Sequence, residues 1–215
     1  NSIKNSGLNL ILVITMIQSQ GGIATNGWVK ADWDTYIDAI ESPSHEKYNG
    51  YYYEGRMRIE DMQKGADHTR LHALTSFVIN LFCMAREIPI NGLISCSYRK
   101  PGIMECQPDL SYYSQDLAPQ GVSVVNLDEQ STPNLVIEVS NITLADDLGA
   151  KRRLYEEMGV AEYWIVVAQY WILDEPNIEI YAFNMLDRSS KQLDMSLAIP
   201  NLSIATITEA LNLSK

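Results

Sequence analysis

Residues 135–140 read LVIEVS. Leu135, Val136, Ile137 and Val139 make a short apolar, β-branched run, the pattern of a strand buried on both faces. Glu138 stands in its middle. A lone carboxylate in a dry sheet costs several kcal/mol unless it is paired, protonated or bound to a metal. The neighbouring sequence must therefore supply a partner, and the reading works outward from that requirement.

Downstream, ADDLGAKRRLYEEM (145–158) has helical spacing. Leu148, Lys151, Tyr155 and Met158 fall along one face with Leu154 beside them, while Arg152, Arg153, Glu156 and Glu157 turn away. Gly159 follows where a left-handed C′ residue is expected. Lys151 thus sits inside the apolar stripe of a helix that should pack back on the strand, which makes it a partner for Glu138. The alternative is a surface i,i+4 pair with Asp147, worth a few tenths of a kcal/mol. Three strand-like runs follow, AEYWIVVA, YWILDE and NIEIYAFN.

Upstream, Pro108 cannot sit inside a central strand, so it marks a strand entry with Asp109 among the first residues. Two carboxylates on neighbouring strands repel, and a hard divalent cation with oxygen ligands relieves that repulsion. Asp109, Glu138 and Lys151 together would suit Mg²⁺ and phosphodiester chemistry, although a structural ion pair accounts for Glu138 and Lys151 almost as well. Further toward the N-terminus, Trp33, Ile37 and Ile40 mark a short amphipathic helix, and YNGYYYEGRMRIED (48–61) reads as a hairpin. Residues 66–86 form the longest helix, with Leu71, Leu74, Val78, Leu81 and Phe82 on one stripe. A strand is expected at LISCSYR (93–99), among turns at Pro89, Gly92 and Pro101, and a polar loop runs on to Pro133. Helices alternate with strands and then strands run together, which gives an α/β (α+β) chain with no internal repeat.

With 215 residues, 46% hydrophobic and 20% charged, the chain has the composition of a folded domain. The single domain is expected over 30–215, after an N-terminal extension at 1–29. Its apolar run at 8–17 is too short to span a bilayer and fits either a signal-peptide core or residues upstream of a true start at Met16. Cys83, Cys96 and Cys106 form no CxxC pair and read as reduced thiols, so a cytoplasmic location without membrane association is expected. The net charge of −11 works against broad nucleic-acid binding, which usually leaves a basic footprint, so any such contact must be local.

A Pro-Asp followed at a distance by an apolar strand bearing Glu resembles the PD-(D/E)XK nuclease superfamily. PNLVIEVSNITLADDLGAKRRLYEEMGVAEYWIV resembles more closely a large bacterial family of restriction-endonuclease-type proteins whose function is not established. That family carries an LVIEV-S strand, then D-x-G-x-K-x-x-x-Y, then GV-x-EYW. Pro133, Glu138, Val139, Ser140, Asp147, Gly149, Lys151, Tyr155, Gly159, Val160, Glu162, Tyr163 and Trp164 match. YYYEGRMRIEDM is similar to the family's Y-E-x-x-G entry with compressed spacing, and His68 matches its His-x-x-apolar pattern.

The resemblance implies a restriction endonuclease-like core of mixed β-sheet flanked by helices. It makes Asp109 and Glu138 metal ligands for Mg²⁺ or Mn²⁺ and Glu54 a further acidic contributor. The superfamily's usual lysine would fall at position 140, where Ser140 stands; the family pattern moves it to Lys151. SNIT replaces the family's usual Ser-Pro-Ser-Thr.

His68 and His72 lie at i,i+4 but lack a third zinc ligand, so His68 reads as an auxiliary residue near the site, as does Tyr155. Tyr51, Tyr52, Tyr53, Tyr112, Tyr113, Trp164, Tyr170 and Trp171 suit strands and a subunit interface better than base stacking. The expectation is a metal-dependent nuclease hydrolysing phosphodiester bonds of nucleic acid, DNA being one candidate and the type left open, with Arg56, Arg58, Arg99, Lys100, Arg152 and Arg153 available to phosphate. The rival is a catalytically silent homo-oligomeric, dimeric binding module on the same fold.

Overall fold

A computed structural model describes residues 24–25, 27–42, 48–61, 65–114, 118–140, 143–169, 177–186 and 191–214. The apolar run at 8–17 and the strand expected at YWILDE (170–175) lie outside the described residues, as do Tyr170 and Trp171. The chain divides into two compact units. The first comprises 1–63 and 99–107, the second 64–98 and 108–215.

In the first unit, β1 (Val29–Lys30) leads into α1 (Trp33–Ile40). Asp32 caps this helix, its carboxylate accepting from the Thr35 backbone N–H at 2.9 Å. The expected hairpin follows as β2 (Tyr48–Tyr53) and β3 (Arg56–Asp61), antiparallel with Tyr51 opposite Arg58. Glu54 and Gly55 form its turn, with φ of 50° and 68°. Tyr36, Tyr52, Met57 and Ile59 make the small core beneath.

The second unit holds the long helix α2 (Ala66–Ala85) and the larger sheet. Its stripe is wider than the apolar residues indicate: His68, Leu71, Thr75, Val78, Ile79 and Cys83 are buried, whereas Leu81 is exposed. The strand expected at 93–99 is two strands, β4 (Ile90–Ile94) and β5 (Ser97–Lys100), broken at Ser95, whose φ is 48°. Gly92 lies inside β4 rather than at a turn. β6 (Met104–Cys106) pairs with β2 in the first unit.

After β6, the chain continues through β7 (Leu110–Ser114), β8 (Val124–Asn126) and β9 (Leu135–Ser140). Next come α3 (Leu144–Asp146), a π-turn (Asp147–Lys151) and α4 (Arg152–Met158). The last elements are β10 (Glu162–Gln169), β11 (Asn177–Asn184) and α5 (Ile204–Leu213). The sheet order is β11-β10-β9-β7-β4. Only β9 and β10 run parallel, and the other pairs are antiparallel, so the sheet is mixed and flanked by helices, as expected. LVIEVS is its central strand, buried at every residue.

Candidate active site

Alternation along β9 sorts its side chains onto two faces. Ile137 and Val139 join Leu71, Val78, Ile79 and Trp164 in the main core. Glu138 points to the opposite face. On β7, Leu110 pairs with Ile137, so Asp109, one residue earlier, lies beside Glu138 and on its face. On β10, Ile165 pairs with Glu138, which places Tyr163 on that face as well.

Each carboxylate is held. Asp109 is buried; its Oδ2 accepts from the Val139 backbone N–H at 2.8 Å, and its Oδ1 lies 3.5 Å from Nε2 of His68. His72 reaches the Asp109 backbone carbonyl through Nε2 at 2.9 Å. The two histidines of α2 thus meet one strand entry. Glu138 Oε1 accepts from the Tyr155 hydroxyl at 2.5 Å, and Oε2 lies 3.5 Å from Lys151 Nζ. Lys151, 1% exposed, therefore faces the buried strand as its place in the apolar stripe requires.

The surface alternative for Lys151 proves to be a false choice. Lys151 Nζ is also 3.4 Å from Asp147 Oδ1, and Asp147 is fully buried. Sequence reasoning missed this third carboxylate because it assumed an unbroken α-helix. The π-turn, with its i→i+5 hydrogen bonding, carries Asp147 inward and leaves Leu148 outward and 37% exposed. Gly149, a poor helix former in the middle of the segment, was the available signal. Thr143 Oγ1 donates to Asp147 Oδ2 at 2.8 Å, and the Tyr163 hydroxyl donates to the Asp147 backbone carbonyl at 3.2 Å. Burial pushes the Tyr163 hydroxyl well above its ordinary pKa, and the charges of Asp147, Glu138 and Asp109 add to the rise. That hydroxyl senses all three carboxylates at once.

The first unit carries Glu54, exposed on the hairpin turn, and Arg56, also exposed and donating to the Trp28 carbonyl at 3.0 Å. Arg58 pairs with Glu60 at 2.7 Å, and Arg99 is clamped between Glu105 and Glu41. Lys100 is half-buried. In the second unit, the Arg152 guanidinium lies 4.7 Å from the Phe183 ring centroid. Tyr51, Tyr52, Tyr112, Tyr113 and Trp164 are buried, so these rings are packing elements rather than free stacking platforms.

Among the described residues, no three His, Cys, Asp or Glu side chains converge to form a ready-made metal cage. Mg²⁺ needs no such cage, because it keeps several waters and is commonly held by one or two carboxylates. The donor set suits it: Asp109 and Glu138 offer hard oxygen ligands, and Asp147 adds a third buried carboxylate. That excess of negative charge is what a divalent cation would offset.

A family model described as "Putative restriction endonuclease", the Uma2 family, matches residues 33–207. No curated protein matches the chain. Among solved structures, the chain is similar to one from Anabaena variabilis titled "a putative nuclease belonging to DUF820". The two share 16% identity, with 84% of this chain and 98% of that chain covered and a TM-score of 0.49. The family match spans most of the sequence and includes every residue of the buried carboxylate cluster: the chain belongs to the Uma2 family of restriction-endonuclease-type proteins.

Proposed function

We propose that the chain is a divalent-metal-dependent nuclease that hydrolyses phosphodiester bonds, with DNA as its substrate. The observation that carries the reading is the burial of Asp109, Glu138 and Asp147 together, with the Lys151 ammonium 3.5 Å from Glu138 and 3.4 Å from Asp147. Asp109 and Glu138 would hold Mg²⁺ or Mn²⁺. When bound, the cation supplies a Lewis acid for a phosphoryl oxygen and lowers the pKa of a coordinated water.

The chain's own residues do the rest. The Val139 N–H and the Tyr155 hydroxyl each fix one carboxylate oxygen, so both acids are oriented before any ligand arrives. Lys151 places a positive charge beside Glu138, where it can stabilise charge developing on the phosphoryl group. His68 backs Asp109 from the helix side. Glu54 is the further acidic contributor in this proposal. Arg56 and Lys100 are the readiest phosphate contacts, while Arg58, Arg99 and Arg152 would first have to leave their present partners.

One observation favours the rival, a silent dimeric binding module: the net charge of −11 repels a polyanion unless the surface is strongly polarised. A calorimetric Mn²⁺ titration of the wild type beside Asp109→Asn and Glu138→Gln separates the two readings. Saturable binding lost in both variants, together with cleavage of DNA by the wild type, is the expected result. A wild type that takes up no Mn²⁺, with or without DNA, leaves the binding module as the better reading.

A further inference from the structure

Between Arg70 and Arg86 the chain carries no Asp, Glu, Lys or Arg, and that whole stretch lies within α2. A helix packed on a sheet turns one face to solvent, and that face normally carries charge. The outward face of α2 does not. Ala73, Phe77, Leu81 and Met84 follow one another at steps of four, four and three, which sets them on one stripe. All four are exposed, Phe77 by 63%, Leu81 by 51% and Met84 by 76%. Asn80, which borders the stripe, donates to the Ser76 carbonyl at 2.7 Å, within the helix. The inward face is already in use, since Leu71, Val78 and Ile79 join the main core. A continuous apolar face left outward in this way marks an interaction surface.

We infer that this face of α2 pairs with the same face of a second copy of the chain, the two helices antiparallel about a twofold axis at the level of Val78 and Ile79. The face is self-complementary in that arrangement, as an isologous contact requires. The axis sets Ala73 opposite Met84, a small side chain against a long one, and Phe77 opposite Leu81. It also sets Arg70 opposite Glu87, just beyond the helix end, and both are exposed. The twofold repeats that pair of opposite charges at the far end of the contact. Each helix has 20 residues and is about 30 Å long. Two such faces with their flanking side chains supply the roughly 1,000 Å² that a specific interface needs. A lipid surface fits less well, because interfacial helices carry Lys and Arg along the flank. Here that flank is uncharged, in a chain of net charge −11. The pairing stands on this face alone and holds whether or not the candidate site binds metal. It would join two such sites, since His68 and His72 on the same helix meet the strand entry bearing Asp109.

The test is sedimentation equilibrium of the full chain over a concentration series, with circular dichroism to check that each variant keeps its helix content. The wild type should reach twice the mass of one chain. Phe77→Glu and Leu81→Glu, both at exposed positions, should each raise the dissociation constant at least about a hundredfold. Arg70→Glu alone sets carboxylates together at both ends of the contact, and Glu87→Arg alone sets guanidinium groups together. Each should weaken pairing at least about fivefold, and the two combined should restore it. That rescue is a result a dimer formed elsewhere on the surface would not give. A wild type that stays monomeric at every concentration overturns the inference. So does a dimer that Phe77→Glu and Leu81→Glu leave intact, or one that the charge exchange does not rescue. Monomers that sediment with phosphatidylcholine–phosphatidylserine vesicles, and lose this in Phe77→Glu, would make a lipid surface the occupant and overturn it as well.

Discussion

Tyr155 is fully buried and spends its hydroxyl on Glu138. Replacing it with Phe keeps the ring and deletes the donor to a buried carboxylate, which should lower stability by about 1–3 kcal/mol in urea denaturation. An unchanged midpoint would show that water or Lys151 takes over the bond. Glu162 presents a contrasting case on the other face of the sheet. Its carboxylate accepts from Trp164 Nε1, Ser196 Oγ and the backbone N–H groups of Leu197 and Ala198, all within 2.9 Å. Burial nonetheless pushes its pKa up. Glu162→Gln must aim an NH₂ group at one of these donors, so a loss of about 1–3 kcal/mol is expected, measured by the same denaturation. A variant as stable as the wild type would mean the loop at 196–198 repacks without the anchor. At this scale Glu138 and Lys151 were legible because polarity in an apolar setting requires a partner. Glu162, in the same EYW stretch that matched the family pattern, was not legible as a loop anchor, because its partners in that loop lie more than thirty residues away.

At the scale of elements, the hairpin, the long helix and the LVIEVS strand were legible from spacing, and the break between β4 and β5 was not. Ser95 adopts a left-handed φ of 48° there and donates its N–H to the Asp109 carbonyl at 3.0 Å. That contact ties the break to the strand entry bearing the carboxylate, a tertiary cause invisible to local pattern. The helix after β9 was legible in its span, but its π-turn was not, since one inserted residue's worth of π geometry depends on what Lys151 and Asp147 meet inside. Gly92 shows the opposite, a local residue whose role becomes clear only in the sheet. A Cβ at this position would stand 2.8 Å from Cε1 and 3.2 Å from Cδ1 of the Tyr112 ring. Tyr112 is buried on β7, next to the Asp109 entry. Gly92→Ala should therefore push β4 from β7 and cost about 1–3 kcal/mol, the usual range for overpacking. Chemical denaturation measures it, and a cost near zero would show that the Tyr112 ring can swing aside.

For the whole molecule, the mixed α+β class followed from the order of helical and strand patterns, whereas the division into two compact units left no linker or composition shift to read. The whole molecule also sets a pH limit. Tyr36, Tyr98, Tyr112 and Tyr163 are all buried, and burial is the largest cause raising each hydroxyl above its ordinary value of 10.0. The nearby Glu105 charge adds to the rise at Tyr36, as the three site carboxylates do at Tyr163. Below the ordinary value both folded and unfolded chains keep these protons, so the full stability is present. Above it the unfolded chain releases protons that the folded chain retains, and stability falls as pH rises toward the raised values. Each such tyrosine contributes a slope approaching about 1.4 kcal/mol per pH unit once its unfolded form is ionised. Urea midpoints should therefore be level from about pH 8 to about pH 9.5 and drop steeply beyond, with tyrosinate absorbance rising together with loss of helical circular dichroism. Tyr163→Phe should make the drop shallower while lowering stability at neutral pH, because the bond to the Asp147 carbonyl is lost. Tyrosinate appearing in full before the fold melts would mean that these hydroxyls reach solvent, and burial would not be what raises them.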